Sequence, residues 1–416
     1  MIWLGIIYFI LLAALAWRHW NWALGVFVIS LPSYLIRLSY FGFPTTILEI
    51  GFGALFVTWL AKYAKEDKHT LSNYVQNHRT LTICFLLLLV SSMVGVMVSD
   101  AWYISLGQWR AYFLEPMILF VMLVGRGRDT SKLYWPRVLT ISTLSITILA
   151  VLQKLFGILT VPSLWNDDFG GRVTAFFTSP NAIGLFVAPL IFLLPVLYKH
   201  GTKTDKYLAV SAGLLSVSSI ILARSTGAII GLGAGLVVYL LVLGYKKIPA
   251  VLVLLALVTT ILVPSIRTEI LFQDQAGQNR LRLWQYTTEY LTASPQNFVT
   301  GAGIRMYFRK VQKPHYNVQE MERLIYPHNI FLNFWSEVGL IGMLSVIGIL
   351  FLSAKYLFVL RHKYQLFSAA GLALLTVLVV HGCVDVPYFK NDLAMLFWVV
   401  IFYLTSQSHY LSKETK

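Results

Sequence analysis

The side chains best suited to chemistry lie between Ser265 and Gly342, the one long interval in which the chain departs from an otherwise apolar pattern. In this interval His328 follows Pro327, a residue type that favours the first turn of a helix, and the segment from Asn329 to Leu352 is apolar. The positive end of a helix dipole keeps an imidazole neutral near pH 7, as a general base must be. The alternative is a histidine that merely sits at a membrane interface.

Arginines are the second group of candidate side chains. Arg280 shares a helical face with Trp284 in a predicted amphipathic helix from Asn279 to Leu291, so its guanidinium can meet a phosphate group while the indole enters the membrane interface. Arg172 and Arg224 lie in short polar stretches between apolar runs. Each arginine alone is equally compatible with binding a lipid headgroup phosphate.

Arg305 follows the pair Gly301-x-Gly303, a spacing that lets the backbone approach an anion. Two glycines are a weak signal, and an ordinary turn explains them as well. A second glycine series, Gly227, Gly231 and Gly235, has the spacing of a helix-packing face.

Composition defines the class of protein that must position these groups. The 416 residues are 57% hydrophobic and only 12% charged, whereas soluble domains carry about 25% charged residues. The chain is therefore predicted to be an all-α polytopic membrane protein. Its formal charge of +15 occurs in short clusters between apolar runs, which indicates membrane topology rather than nucleic acid binding.

Apolar runs near the length that crosses a bilayer predict twelve to thirteen transmembrane helices. The runs are Ile2–Ala16, Trp22–Ile36, Thr46–Leu60, Leu81–Val98, Tyr112–Val124, Val138–Phe156, Ile183–Leu197, Tyr207–Ala223, Thr226–Leu243, Ile248–Val263, Pro327–Leu352, Leu366–Val384 and Leu393–Tyr403. We divide the chain into an N-terminal bundle (1–264), one long loop with an amphipathic helix (265–326) and C-terminal helices (327–416).

The basic clusters between spans predict the orientation, because loops rich in lysine and arginine stay in the cytoplasm. Clusters at 62–79, 126–137, 199–206, 246–247 and 361–363 then share the cytoplasmic face, and the 265–326 loop is extracytoplasmic. The opposite face carries ten arginines and only four lysines. Membrane topology does not explain this excess of arginine over lysine. Binding of phosphate explains it, because only arginine can contact two phosphate oxygens at once with its planar guanidinium group.

Four acidic residues are expected in the outer halves of their helices, where an unpaired charge is costly. Glu49, Glu115, Glu337 and Asp385 are therefore predicted to pair with the outer arginines. The two cysteines, Cys84 and Cys383, are placed toward opposite membrane faces. This placement predicts neither a disulfide nor a metal site.

The order of these motifs resembles the O-antigen ligase and polymerase superfamily. The motifs are an arginine before a Ser-Pro-Asn turn, an Arg-Ser-x-Gly turn, Arg-x-x-x-Trp, Gly-x-Gly, and His-Asn-x-x-Leu opening a helix with Glu-x-Gly-Leu-x-Gly. They run from Arg172 to Gly342.

The resemblance implies a metal-independent, inverting glycosyltransferase of the GT-C type without a cofactor. It implies that Arg172, Arg224, Arg280 and Arg305 bind an undecaprenyl diphosphate-linked glycan, and that His328 activates an acceptor hydroxyl on a lipid, a glycan or a protein. The implied location is the bacterial inner membrane, among its lipids, with the active site on the extracytoplasmic side. A repeat-unit polymerase and a transporter of a small anion are the alternatives.

Overall fold

The computed structural model describes residues 2–40, 43–127, 134–160, 171–317 and 323–406, which are almost entirely helical. The described helices are α1 (Ile2–Arg18), α2 (Trp20–Ile29), α3 (Ile47–Lys62), α4 (Ala64–Asn77), α5 (Arg79–Met97), α6 (Trp102–Trp109), α7 (Glu115–Gly125), α8 (Trp135–Phe156), α9 (Asn181–Leu190), α10 (Leu194–His200), α11 (Lys203–Ala223), α12 (Thr226–Val242), α13 (Lys247–Leu262), α14 (Pro264–Ile270), α15 (Gln275–Thr292), α16 (Pro295–Thr300), α17 (Ile330–Leu360), α18 (Gln365–Gly382) and α19 (Asn391–Ser406). Short 3₁₀ or π-helical turns interrupt them at Leu31–Leu35, Arg110–Leu114, Ile191–Leu193, Tyr307–Gln312 and Lys313–His315.

These helices confirm the predicted all-α, multi-pass membrane architecture. Six described helices are long and apolar enough to cross a membrane, or eight if each of two bent pairs counts as one span. The bent pairs are α3 with α4, at 95°, and α13 with Pro264–Thr292, at 104°. The apolar helices α1, α2, α12 and α19 are shorter. Each predicted apolar run lies mainly on a helix. The number of membrane crossings, twelve to thirteen, stays a prediction.

The second predicted run, Trp22–Ile36, is α-helical only as far as Ile29. Pro32 has no N–H to donate, and the chain continues as a 3₁₀ turn and then as a two-stranded antiparallel hairpin, β1 (Arg37–Tyr40) with β2 (Phe43–Thr46). Thr46 ends the hairpin and caps α3 through a reciprocal pair of hydrogen bonds with Glu49. The hairpin thus fixes the start of α3, and with it the position of Glu49.

The two ends of the bundle carry different charged groups. Helix α3 begins near Glu49, whose carboxylate lies 3.0 Å from Arg110 and also accepts a hydrogen bond from Asn391. The same helix ends at Lys62, beside Arg126, which stacks on Tyr63 and lies 3.3 Å from Asp67. We call these the Glu49 end and the Lys62 end.

Close helix packing brings α18 against α12, as the glycine spacing predicted. A side chain at Gly235 would meet the ring of Phe192 and Val377, and one at Gly227 would meet His381. Small residues here let the two backbones approach. Helix α18 thereby carries His381 into the interior and ends beside the Glu49 end of the bundle.

The 265–326 loop has a small hydrophobic core, in which Leu283, Ala302, Met306, Tyr307 and Val311 pack with Ala101 from the segment before α6. Its Gly-x-Gly segment binds protein backbone. The amide of Ala302 donates to the carbonyl of Ser336, 2.6 Å away, and the amide of Ile304 donates to the carbonyl of Gly95, 3.0 Å away. These glycines therefore attach the loop to α5 and α17.

Replacing Gly301 by alanine is expected to destabilise the protein. Gly301 has a φ of +71°, and a Cβ there would lie 2.4 Å from the carbonyl oxygen of Trp335. The disfavoured backbone alone costs about 1–3 kcal/mol. Thermal unfolding of the purified protein in detergent should show a lower Tm for Gly301→Ala. Gly233→Ala is the control, because nothing lies within 4 Å of its Cβ position. Equal Tm values for the two variants would contradict this account of the loop.

Candidate active site

His328 lies directly before α17. The cap of α17 is Asn329, whose side chain accepts hydrogen bonds from the amides of Phe331 and Leu332. Helix α17 therefore begins at Ile330, one residue after the start of the predicted helix at Asn329, and Pro327 lies outside it. The sequence predicted that the imidazole of His328 lies at the positive end of the helix. Asn329 caps that end instead, and the residues around His328 belong to other parts of the chain.

Asp385 is the acidic partner of His328. The Nδ1 atom of His328 is buried and lies 3.4 Å from Oδ1 of Asp385, a residue in the turn between α18 and α19. Burial alone would raise the pKa of Asp385, but the imidazole of His328 and, more weakly, that of His381 hold it below its usual range. The expected pairing of Asp385 with an arginine is thus wrong: the loop brings a histidine to it.

Three consecutive residues in the turn after α18 each contact one residue of the candidate site. The side-chain amide of Asn329 donates to the carbonyl of Cys383, 3.1 Å away, and the Nε of Arg280 donates to the carbonyl of Val384, also 3.1 Å away. Asp385 follows and meets His328. One short segment therefore fixes the positions of a guanidinium and an imidazole that lie far apart in sequence.

Helix α15 contains the predicted amphipathic helix. One turn after Arg280, the indole Nε1 of Trp284 donates to the carbonyl of Pro327, 2.9 Å away. Arg280 and Trp284 thus share a face, as expected, and that face contacts the two segments that carry His328 and Asp385.

Arg172 and Arg224 meet at the C-terminal end of α11. The guanidinium of Arg172 donates to the carbonyls of Ala223, at 2.8 Å, and Arg224, at 3.2 Å, and to the side-chain oxygen of Asn181, at 3.2 Å. Arg224 is exposed and has a left-handed backbone, with φ at +49°. Its main chain therefore turns toward Arg172 while its side chain faces solvent.

Electrostatics join this pair to Arg280. Burial and then the charges of Arg224 and Arg280 lower the pKa of Arg172, and Glu269 opposes them. Among the described residues, neither Arg224 nor Arg280 has a carboxylate within ion-pair distance. Three positive charges thus share one region at the His328 side of the bundle, which is a suitable arrangement for binding an anion with several oxygens.

Arg305 lies beside a different group. It is exposed, and its charge acts on the buried carboxyl of Glu337 and on Tyr112. The charges that lower the pKa of Arg172 are those of Arg224 and Arg280, not that of Arg305. Glu49 and Glu115 both contact Arg110, at 3.0 and 3.4 Å, as expected of outer carboxylates. Among the described residues, Glu337 has no arginine within ion-pair distance, although the charge of Arg305 acts on it.

Backbone strain is concentrated at the candidate residues. Six described non-glycine residues have a positive φ, and three of them are Arg224, Arg305 and His328. Such conformations cost about 1–3 kcal/mol each and persist where the surrounding structure imposes them, often at functional sites.

A protein-family model described as O-antigen ligase matches residues 211–347. The match covers about a third of the chain, from α11 into α17. The match confirms the resemblance to the ligase and polymerase superfamily and supports glycosyl transfer of that general type. A comparison with curated proteins gave no match.

The matched region contains Arg224, Arg280, Arg305 and His328; Arg172 lies before it and Asp385 after it. Sequence reasoning found Asp385 only as an outer carboxylate. The available signal was its place four residues after His381, at the end of an apolar helix. Within the described ranges, no three His, Cys, Asp or Glu side chains come together in a way that could hold a metal ion. Metal independence stays a prediction.

Inorganic pyrophosphate is expected to bind the arginine cluster and to raise the Tm of the purified protein. Hydrogen bonds to charged groups contribute about 1.5–3 kcal/mol, so Arg280→Ala should weaken pyrophosphate binding about 10- to 100-fold. Arg280→Lys should also weaken it, because lysine lacks the bidentate fork. Arg79→Ala, at the first turn of α5 on the Lys62 end, is the control. Equal binding by the Arg280 and Arg79 variants would remove Arg280 from the anion site.

Proposed function

We propose that this protein transfers a glycan from undecaprenyl diphosphate to an acceptor hydroxyl, with inversion at the anomeric carbon and without a metal ion. The observation that carries the proposal is the shared anchoring of Arg280 and His328 at Val384 and Asp385, next to each other in one turn. It supports a site in which an anionic leaving group and a general base act on one substrate. The matched ligase region gives the reaction class.

The arginines are assigned to the donor. When the glycosidic bond to the diphosphate breaks, the bond electrons stay on the diphosphate oxygen, and negative charge grows there. Guanidinium groups of Arg172, Arg224 and Arg280 stabilise that charge as it develops, which is the role a divalent ion has in many other transferases. The polyprenyl tail stays among the helices and the lipids, and the glycan extends into water.

His328 is assigned to the acceptor. Its Nδ1 faces the Asp385 carboxylate, so Nδ1 carries the proton and Nε2 is free to act as the base. The acceptor oxygen attacks the anomeric carbon, its proton moves to Nε2, and the carbon–oxygen bond to the diphosphate breaks. Because attack and departure occur on opposite faces of the sugar, a single displacement inverts the configuration. The imidazolium then returns its proton to water.

The positive-inside rule supports an extracytoplasmic active site in the bacterial inner membrane. Lys62 and Arg126 lie at the Lys62 end, and the candidate site lies at the other. Transporters place their ionisable residues near the bilayer midplane beside broken helices. The grouping of the arginines and His328 at one end favours transfer over transport. Ligase and polymerase differ only in the acceptor, which the assays below identify.

His328→Ala is expected to lower the transfer rate by about 10²–10⁴-fold, the contribution of a positioned base. The assay follows release of undecaprenyl diphosphate from a lipid-linked glycan by the purified protein, with candidate acceptors added singly. The Tm should change little, and EDTA should leave the wild-type rate unchanged. His69→Ala, an exposed histidine on α4, is the control. Wild-type turnover by His328→Ala would eliminate the base assignment, and loss of activity in EDTA would eliminate metal independence.

Asp385→Asn should lower kcat by at least about 10-fold while donor binding stays unchanged, because partners that orient a histidine typically contribute 10- to 100-fold. Asparagine keeps the size of the side chain but removes the charge that fixes the Nδ1 proton. The control is Asp100→Asn, a half-exposed carboxylate that pairs with Lys310 in the same half of the molecule. If both variants retain wild-type kcat, Asp385 does not position the base.

A further inference from the structure

Gly227 lies where the turn that carries Arg224 packs against the turn that holds Arg280. It belongs to the first turn of α12, directly after the Arg224-Ser225 pair. A Cβ at Gly227 would lie 2.7 Å from Cδ2 of His381 and 2.9 Å from Cγ2 of Val384. Val384 is the residue whose carbonyl oxygen binds Arg280. The two turns therefore touch at a point where glycine is the only residue that fits without a shift of its neighbours.

The imidazole of His381 extends this contact to α9. His381 is almost completely buried. A Cβ at Gly184 would lie 3.2 Å from Cε1 of His381 and 2.9 Å from Oγ of Ser225. Gly184 follows Asn181 by three residues on α9, and the side chain of Asn181 accepts a hydrogen bond from Arg172. The imidazole thus lies between α9 and α12, the two helices that begin beside Arg172 and Arg224.

Helix packing alone does not require a glycine at this end of α12. Further along the same helix, Gly235 already lets α12 and α18 approach each other: a Cβ there would lie 2.7 Å from the ring of Phe192 and 2.9 Å from Cγ2 of Val377. The contacts at Gly227 are equally close, but their partner is the turn that orients Arg280. The two glycines therefore differ in what their contacts position.

We propose that Gly227 is a positioning residue that sets the distance between Arg280 and the Arg172–Arg224 pair so that one diphosphate binds to both. A diphosphate carries its charge on two linked phosphate groups, and each group then meets guanidinium nitrogens from a different part of the chain. A single phosphate gains the contacts of one part only. The spacing thus selects a diphosphate over a phosphate. The inference rests on the proposed function for the identity of that diphosphate as the leaving group of the donor.

The test compares binding of pyrophosphate and of orthophosphate, by isothermal titration calorimetry, on the full-length protein in nanodiscs of zwitterionic lipid. Gly227→Ala adds a methyl group that must displace His381 and Val384. Val384→Ala removes the side chain that packs on Gly227 and keeps the carbonyl that binds Arg280. Neither substitution changes a charge, so the preference for pyrophosphate reports the spacing. We expect each variant to lower this preference about tenfold, as for the loss of one hydrogen bond to a charged group.

The control variants make the same two changes elsewhere on α12 and α18. Gly235→Ala adds a methyl group against Phe192 and Val377, and Val377→Ala removes the side chain that packs on Gly235. Both should lower the Tm and keep the wild-type preference for pyrophosphate. A purely structural role of Gly227 would affect all four variants alike.

A lower preference in either site variant, with the wild-type preference in both controls, supports the positioning role. If Gly227→Ala does not fold, Val384→Ala decides, because truncation leaves a small cavity instead of a clash. An unchanged preference in the site variants, an equal loss in the controls, or no preference in the wild type overturns it. The expected pattern without release of undecaprenyl diphosphate from a lipid-linked glycan would support the positioning role and refute the proposed transferase.

Discussion

Carbonyl oxygens at helix ends hold the arginines of this site. The last turn of a helix has carbonyls without intrahelical partners and carries partial negative charge. Arg172 donates to Ala223 and Arg224 at the end of α11, and Arg280 donates to Val384 just beyond α18. Main-chain carbonyl oxygens thereby orient both guanidinium groups. Arg280 uses only its Nε atom in this way, so its two terminal nitrogens remain available.

This mode of anchoring explains why the strained residues lie where they do. A helix end that presents carbonyls to a guanidinium must turn sharply, and Arg224 does so with a left-handed backbone. His328 lies at a second sharp turn, between Pro327 and the Asn329 cap, and its ring faces Asp385 instead of continuing into α17. In both places the strain is balanced by side-chain contacts that would be lost in a relaxed conformation.

The sequence alone was enough to predict the helices and the grouping of charges at two ends of the bundle. Both follow from the membrane, which requires apolar runs of a certain length and leaves charged clusters between them. It was insufficient where partners come from distant loops. Asp385 was expected to meet an arginine, and only the packing of the turn after α18 shows that it meets His328. The hairpin after Ile36 was missed because each strand has only four residues, too few for a clear alternating pattern. The sequence assigned Arg305 to a membrane face but did not predict that it lies beside Glu337.

The grouping of Arg172, Arg224 and Arg280 on one side of the bundle has a consequence for the proposed reaction. In the proposed reaction the diphosphate gains charge as transfer proceeds and would bind the arginines more tightly than the donor did, so these arginines would favour the transition state at the expense of product release. An enzyme built in this way is expected to be limited by the exchange of undecaprenyl diphosphate with the bilayer rather than by the attack of the acceptor.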